Sequence, residues 1–325
     1  MRYLFGPVYS SRLGWSLGVD VIPHKICNFD CIYCECGKGT LLVNRRGHFV
    51  QLGRLIEEFE NYLEEQGKNY FNGVTITGSG EPTLEIQLGR VIEEIKKRTS
   101  KPVAVLTNGS WMRNEDVQKD LALADIVLPS LDAVSPEVFK KVDQPCSGIE
   151  VESIISGMID FRQKYPEVQF WLEILMVSGV NDSPEEIHLL KKVIDRIKPH
   201  QVHVGTVTRP PAYPEAKPLS QERLREIQQF LWPVSLFSDA PERSSPRCKQ
   251  DRTGHDVNFQ MVLETVKRRP CSLNQLVSLT HGSEDDLLQE LNRWCEEGKL
   301  IRKKYEGQEF FAWPFKNGEA KQKLA

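Results

Sequence analysis

The chain has 325 residues, a formal net charge of −3, 40% hydrophobic and 27% charged residues. That length buries a full core, with room for one large domain and one small one. The near-balanced charge excludes a global basic field for nucleic acid or an anionic membrane. The opening Met-Arg-Tyr-Leu-Phe-Gly-Pro lacks the charged-then-apolar-then-small order of a signal peptide, and no apolar run reaches membrane-spanning length. A cytoplasmic, reducing setting is expected, in which the eight cysteines are thiols or metal ligands rather than a disulfide framework.

Apolar runs at 17–22, 73–77, 102–107, 125–129, 169–177 and 201–207 read as strands. Amphipathic stretches near 52–65, 84–98, 114–123, 135–164, 184–197 and 220–231 read as helices, with Leu55, Ile56, Phe59 and Leu63 at helical spacing. Ser183 before Pro184, Glu185 and Glu186 is a helix start, a capping residue followed by proline at the first helical position. Strand–helix alternation predicts an α/β fold with a parallel sheet and right-handed crossovers, a partial six-stranded (β/α) barrel over residues 1–237. In such barrels the working residues lie on loops after the strands' C-terminal ends. Residues 238–255 are polar, rich in proline and serine, and read as a linker. Helices at 257–268, 273–279 and 284–297 and strands at 300–304 and 309–313, turning at Glu306-Gly307, follow. Three helices and a hairpin in this order resemble a winged-helix (α+β) domain over 256–315, with a disordered tail at 316–325.

Cys27, Cys31 and Cys34 stand in the run Cys-Asn-Phe-Asp-Cys-Ile-Tyr-Cys. Three thiolates on one loop can hold three irons of a four-iron cluster and leave the fourth without a protein ligand, where four cysteines are usual. An open coordination position marks a metal centre kept for chemistry. The alternative is a structural zinc site with Cys36 as fourth thiolate, in a regulatory protein without catalysis. The spacing, with Tyr33 just before the last cysteine, resembles the signature loop of the radical SAM superfamily. The resemblance implies a single 4Fe-4S cluster on Cys27, Cys31 and Cys34, with S-adenosylmethionine on the free iron. It implies reductive cleavage of that sulfonium to a 5′-deoxyadenosyl radical, which abstracts hydrogen from a substrate. It also implies an electron donor of reductase or flavodoxin type.

The run Gly78-Ser79-Gly80-Glu81-Pro82-Thr83 follows the second expected strand. Glycines let backbone approach closely, so this turn can present carbonyls and a carboxylate to an ammonium group; alone it is also an ordinary glycine turn. It resembles the Gly-Gly-Glu-Pro motif of the same superfamily, with Ser79 at the first glycine position and Gly80 at the second. By that resemblance Gly78, Gly80, Glu81 and Pro82 hold the methionine moiety and Tyr33 lies near the adenine. Asn108 after the third strand, and Ser130 and Asp132 after the fourth, are hydrogen-bonding groups at the rim, suited to a ribose or substrate; each is equally a helix-capping type. Glu173 in the fifth strand should point inward or pair with a base. His203 reads as a core histidine, and Arg209 can pair with a carboxylate or phosphate.

The runs 6–14, Ile22-Pro23-His24-Lys25 and Thr208-Arg209-Pro210-Pro211 are similar to radical SAM proteins related to the wybutosine-synthesising tRNA enzymes, over about residues 1–237. Those enzymes build a second cluster from upstream cysteines, whereas this chain has none before Cys27, so no second cluster is expected. A tRNA base and a peptide or protein both remain open as substrates. Cys146, Cys248, Cys271 and Cys295 are scattered and read as buried structural thiols. Helix 284–297 holds Glu284, Asp285, Asp286, Glu290, Glu296 and Glu297 against Arg293, which disfavours DNA and favours a protein-interaction or substrate-presenting module.

Overall fold

The structure is a computed structural model that describes residues 3–10, 12–22, 25–67, 70–231, 235–236, 258–280 and 283–314. The expected linker, Cys248, Pro23, His24 and the tail from 316 lie outside the described residues. One eight-stranded sheet has the order β1-β2-β5-β6-β7-β8-β9-β10. Its strands are β1 Leu4–Ser10, β2 Gly14–Asp20, β5 Gly73–Thr77, β6 Val103–Thr107, β7 Ile126–Pro129, β8 Gln169–Met176, β9 Gln201–Thr206 and β10 Ser235–Leu236. Two-residue strands β3 Ile26–Cys27 and β4 Leu41–Leu42 pair separately. From β2 onward every neighbouring pair of the large sheet is parallel. Crossover helices α1 Leu52–Gln66, α2 Leu88–Arg98, α3 Glu115–Leu121, α4 Pro136–Val142, α5 Val151–Lys164, α6 Pro184–Ile197 and α7 Gln221–Phe230 join them.

The helices form where the apolar spacing is helical, and several carry end signals as well. On α1, Leu55, Ile56, Phe59, Tyr62 and Leu63 make one buried stripe. Asn114 caps α3 and Ser183 caps α6 with Pro184 at its first turn, as expected for the latter. Lys96, Lys97 and Arg98 close α2, where cations oppose the helix dipole. On β8, Phe170, Leu172, Ile174 and Met176 are fully buried, while Trp171, Glu173 and Leu175 alternate with them on the opposite face. That second face carries its own apolar cluster of Ala104, Ile126 and Leu128, closed by Leu13, Leu106 and Trp171.

The structure corrects the sequence reading in three places, one of them a seventh parallel strand, β10, beyond the six expected. The first parallel strand runs Gly14–Asp20, not 17–22, and an unforeseen antiparallel partner β1 precedes it. Gly6-Pro7 hides β1 in the sequence; proline is tolerated there because β1 is an edge strand. The single helix expected over 135–164 is two helices, α4 and α5. Pro145 lacks a helix donor and keeps Gln144 out of the right-handed helical region, and Gln144 sits at φ 44.

The C-terminal residues form α8 Phe259–Arg268, α9 Leu273–Val277, α10 Glu284–Glu296 and the hairpin β11 Ile301–Tyr305 with β12 Gln308–Ala312. Val262, Val266, Leu276, Leu287, Leu291 and Phe311 make a second core, against which Val8 of β1 also packs. Helix α8 lies on β1: the Gly6 N–H donates to Thr265 Oγ1 at 3.0 Å, and Arg268 stacks over the Phe5 ring at 5.2 Å. Phe5 reaches that place because residue 18 is glycine. A Cβ on Gly18 would lie 2.2 Å from the Phe5 ring. Gly18→Ala should therefore expel Phe5 and destabilise the chain by about 1–3 kcal/mol, the usual cost of overpacking a core; urea unfolding of the variant against the wild type measures it.

Candidate active site

The cysteine loop is ordered by a strip of backbone bonds to the break between α4 and α5. The Asp30 N–H donates to the Asp143 carbonyl at 3.1 Å, Ile32 to Val142 at 2.9 Å, and Cys146 to the Asn28 carbonyl at 2.8 Å. Phe29 and Pro145 form a bridge within this strip. On the other side β3 pairs with β4, and the Val43 N–H donates to the Cys27 carbonyl at 2.9 Å. Asp30 anchors the loop's middle: it accepts from Thr40 and from the Tyr213 hydroxyl, the latter at 2.7 Å, with the buried Lys25 ammonium 3.5 Å away. A turn from the Cys34 N–H to the Cys31 carbonyl at 3.1 Å brings the last two cysteines together.

Burial, reinforced by the Glu81 carboxylate, pushes the Cys27 thiol up. Burial and the Asp143 carboxylate do the same to Cys31. Cys34 differs: the hydrogen-bonded Cys36 side chain holds it down to about 7 against burial, and Lys25 assists. Protonated thiols in a closed pocket become thiolates when a multivalent cation replaces their protons. Among the described residues no three His, Cys, Asp or Glu side chains converge on a single-ion site. A four-iron cluster makes a different demand, one thiolate on each of three separate corners, and this donor set fits it. The Phe29 N–H lies 3.4 Å and the Asn108 amide 3.8 Å from Cys27 Sγ, donors of the kind that tune a cluster.

The Gly78–Gly80 turn sits directly on this loop. The Glu81 N–H donates to the Ile26 carbonyl at 3.1 Å, one residue before Cys27. A Cβ on Gly80 would stand 1.7 Å from that carbonyl oxygen, so only glycine fits. Ser79 donates to Asp20 through its N–H at 3.0 Å and its hydroxyl at 2.7 Å. Arg268, from α8, donates to the same carboxylate at 2.7 Å. Glu81 is turned inward: its carboxylate is 2% exposed and accepts from Thr83, from Thr107 Oγ1 at 2.6 Å and from the Asn108 N–H at 2.7 Å. Four hydrogen bonds thus fix the inward direction of the Glu81 carboxylate. Pro82 is likewise buried and opens a short 3₁₀ turn. The half-buried backbone of Gly78, Ser79 and Gly80 stays available.

Tyr33, Asn108, Ser130 and Asp132 line one small cavity of about 40 Å³ with Phe29, Phe139 and Asp143. The Tyr33 hydroxyl donates to one Asp132 oxygen and the Leu175 N–H to the other at 2.7 Å. Burial, with the Glu173 charge, pushes Asp132 up to about 6. Asp143 is also pushed up by burial and by Asp132, and it accepts from the Cys31 thiol at 3.4 Å. Glu173 pairs with Arg12 at 2.7 Å, and Arg209 with Glu35 at 2.7 Å, as their residue types suggested. Cys36 donates to the Arg268 carbonyl at 3.3 Å. Cys271 is buried as expected, but Cys146 and Cys295 are only half-buried.

Sequence reasoning missed Asp20, Lys25, Asn28, Asp143 and Arg268. Asn28 is fully buried, donates to Ser110 Oγ at 2.7 Å and accepts from the Asn108 amide at 2.8 Å. Its position next to Cys27 was the only available signal. Asp143 and Arg268 carried none, since each lay inside an expected helix.

His203 stacks on Trp171 at 5.5 Å and is 4% exposed. Burial and then Arg12 hold its pKa down to about 4 from 6.5. The folded chain thus binds this proton later than the unfolded one. Its contribution is complete above pH 6.5 and is lost as pH falls toward 4. Between pH 7 and 4.5 the wild type should lose about 2 kcal/mol that His203→Gln does not lose, as read from urea unfolding at the two pH values.

A family model described as the Radical SAM superfamily matches residues 21–190, over half the chain. A UPF0026 protein of Helicobacter pylori is 34% identical over 274 residues, 84% of this chain and 86% of that protein. A GTPase Obg of Brachyspira hyodysenteriae is 33% identical over 301 residues, 92% of this chain; the chain spans only 43% of that relative's length. Among solved structures, Streptococcus suis SuiB bound to S-adenosylmethionine aligns at TM-score 0.50 and 15% identity, over 66% of this chain and 46% of that one. This last likeness concerns the fold, a curled half-barrel sheet flanked by helices. The zinc-stapled alternative gains nothing from any of these. With its cysteine loop, the turn seated on that loop and a family match across both, the chain belongs to the radical SAM superfamily.

Proposed function

We propose that the protein holds one 4Fe-4S cluster on Cys27, Cys31 and Cys34 and uses S-adenosylmethionine to activate a C–H bond of a tRNA base or of a peptide or protein. When bound, the cluster supplies the electron that cleaves the sulfonium and yields a 5′-deoxyadenosyl radical. The observation that carries this reading is the seating of Gly80 on the Ile26 carbonyl, which joins the glycine turn to the first cysteine. The free carbonyls of Gly78 to Gly80 suit a methionine ammonium, and inward-turned Glu81 holds the turn and the Asn108 backbone in register. Tyr33, Asn108 and Ser130 line the cavity that would receive the nucleoside, with Asp132 orienting Tyr33. The opposite sheet face, with Arg12, Glu173 and His203, supplies the substrate side. The C-terminal helices and hairpin are proposed as a winged-helix-like, substrate-presenting module, its acidic α10 unsuited to DNA phosphates. Likeness to the wybutosine-related branch and a flavodoxin-type electron donor belong to the same proposal.

Anaerobically reconstituted wild type should form 5′-deoxyadenosine from S-adenosylmethionine under dithionite, and Cys34→Ala should form none. Unchanged formation by that variant would exclude the ligand assignment. Gly80→Ala should lose activity even where iron and sulfide contents stay those of the wild type, because its Cβ displaces the turn from Ile26. Full activity in Gly80→Ala would remove the basis of the reading.

A further inference from the structure

Asn28, Asn108 and Ser110 close a ring of hydrogen bonds against the first cysteine of the loop. One obligate donor settles every orientation in it. The Ser110 N–H can only donate, and it reaches the Asn108 side chain at 3.0 Å, so the atom there is Oδ1 and the amide nitrogen faces the other way. Asn108 Nδ2 then donates to Asn28 Oδ1 at 2.8 Å, Asn28 Nδ2 to Ser110 Oγ at 2.7 Å, and the Ser110 hydroxyl to Asn108 Oδ1 at 2.6 Å. Donors and acceptors follow one direction around the three side chains, the arrangement in which each bond polarises the next.

An amide nitrogen carries two hydrogens. Asn28 accepts one from Asn108, and the other is directed to Cys27 Sγ, 3.8 Å away. The Phe29 N–H lies 3.4 Å from the same sulfur. Cys31 Sγ stands in the opposite relation, donating to the Asp143 carboxylate at 3.4 Å. The ring is anchored at its Asn28 end. Asn28 is fully buried, directly follows Cys27, and its backbone carbonyl accepts from the Cys146 N–H at 2.8 Å. Asn108 and Ser110 come from the segment after β6, so the ring ties the end of that strand to the cysteine loop. Turning the Asn108 nitrogen away from the sulfur would break its bonds to both partners.

We infer that Asn108 is a hydrogen-bond donor to the Cys27 ligand, that Asn28 and Ser110 are its positioning residues, and that the ring makes the centre held by Cys27 easier to reduce. The inference rests on the cluster proposed above. An N–H aimed at a thiolate draws charge off the sulfur and so favours the reduced, more negative state; hydrogen bonds to sulfur are among the settings of such potentials. The step concerned is the uptake of one electron from an external reductant, with no covalent bond made or broken in the ring.

The test is a redox titration of the anaerobically reconstituted full chain without S-adenosylmethionine, followed by electron paramagnetic resonance of the reduced centre at matched iron and sulfide content. Asn108→Ala should move the midpoint to a more negative value. At a fixed applied potential its reduced-to-oxidised ratio should fall by roughly three- to tenfold, the scale of a hydrogen bond to a charged group. Ser110→Ala opens the ring while leaving the Asn108 amide present, and should shift the midpoint the same way by less. Ser110→Thr, which restores the hydroxyl, should return it toward the wild type. A substitution that merely admitted water would act with the opposite sign, because solvent also favours the more negative state. An unchanged or more positive midpoint in Asn108→Ala overturns the inference, as does a Ser110→Thr value no nearer the wild type than that of Ser110→Ala. Failure of the radical reading is distinct: it shows in the wild type itself, as the absence of any reducible iron–sulfur centre and of 5′-deoxyadenosine, and it removes the inference with it.

Discussion

The contact between the glycine turn and the Ile26 carbonyl is the constraint on which the rest of the site depends. Backbone can approach backbone this closely only where no Cβ intervenes, and at Gly80 a Cβ would collide at 1.7 Å. The contact is short-range and directional, so it fixes the height of the turn above Cys27. Glu81 then repeats the message on its other side. Its carboxylate gathers donors from Thr83, Thr107 and Asn108 and so ties the ends of two neighbouring strands to one another. A buried carboxylate retained with that many donors is a positioning device, since each donor offsets part of its desolvation.

A second junction forms around Asp20, at the end of β2. One carboxylate receives Ser79 from the glycine turn, Ile22 from the following loop and Arg268 from the C-terminal module. Pairs this poorly exposed, 11% and 4% for the two side chains, feel little solvent screening, and loss of one partner strands the other. Phe5 under Arg268, the space left by Gly18 and the Thr265 bond to Gly6 seat the same helix. The module is therefore joined to the sheet through Asp20, beside the glycine turn, as well as along the edge strand.

Much of this was legible from the sequence because it is local. The three cysteines, the glycine turn and the ends of the third and fourth strands could be marked from residue types, and the structure gathers Tyr33, Asn108, Ser130 and Asp132 around one cavity. The parallel strands were legible because buried β strands make short apolar runs. What escaped was non-local. Asp143 lay inside an apparently continuous helical pattern that Pro145 interrupts, and Arg268 looked like an ordinary cation at a helix end. Edge strand β1 was hidden by a proline that only an edge position tolerates. Residue type alone also could not say which way Glu81 faces; four donors decided that.

The interruption between α4 and α5 has a consequence for how the protein is made. Cys31 and its neighbour Asp143 are 112 positions apart, and the strip of bonds to residues 142–146 gives the cysteine segment its shape. During synthesis the sulfur-bearing stretch leaves the ribosome long before its floor exists, and closing so large a loop carries an entropic cost. The cysteine segment thus takes its shape only in chains whose first half has already been translated and folded.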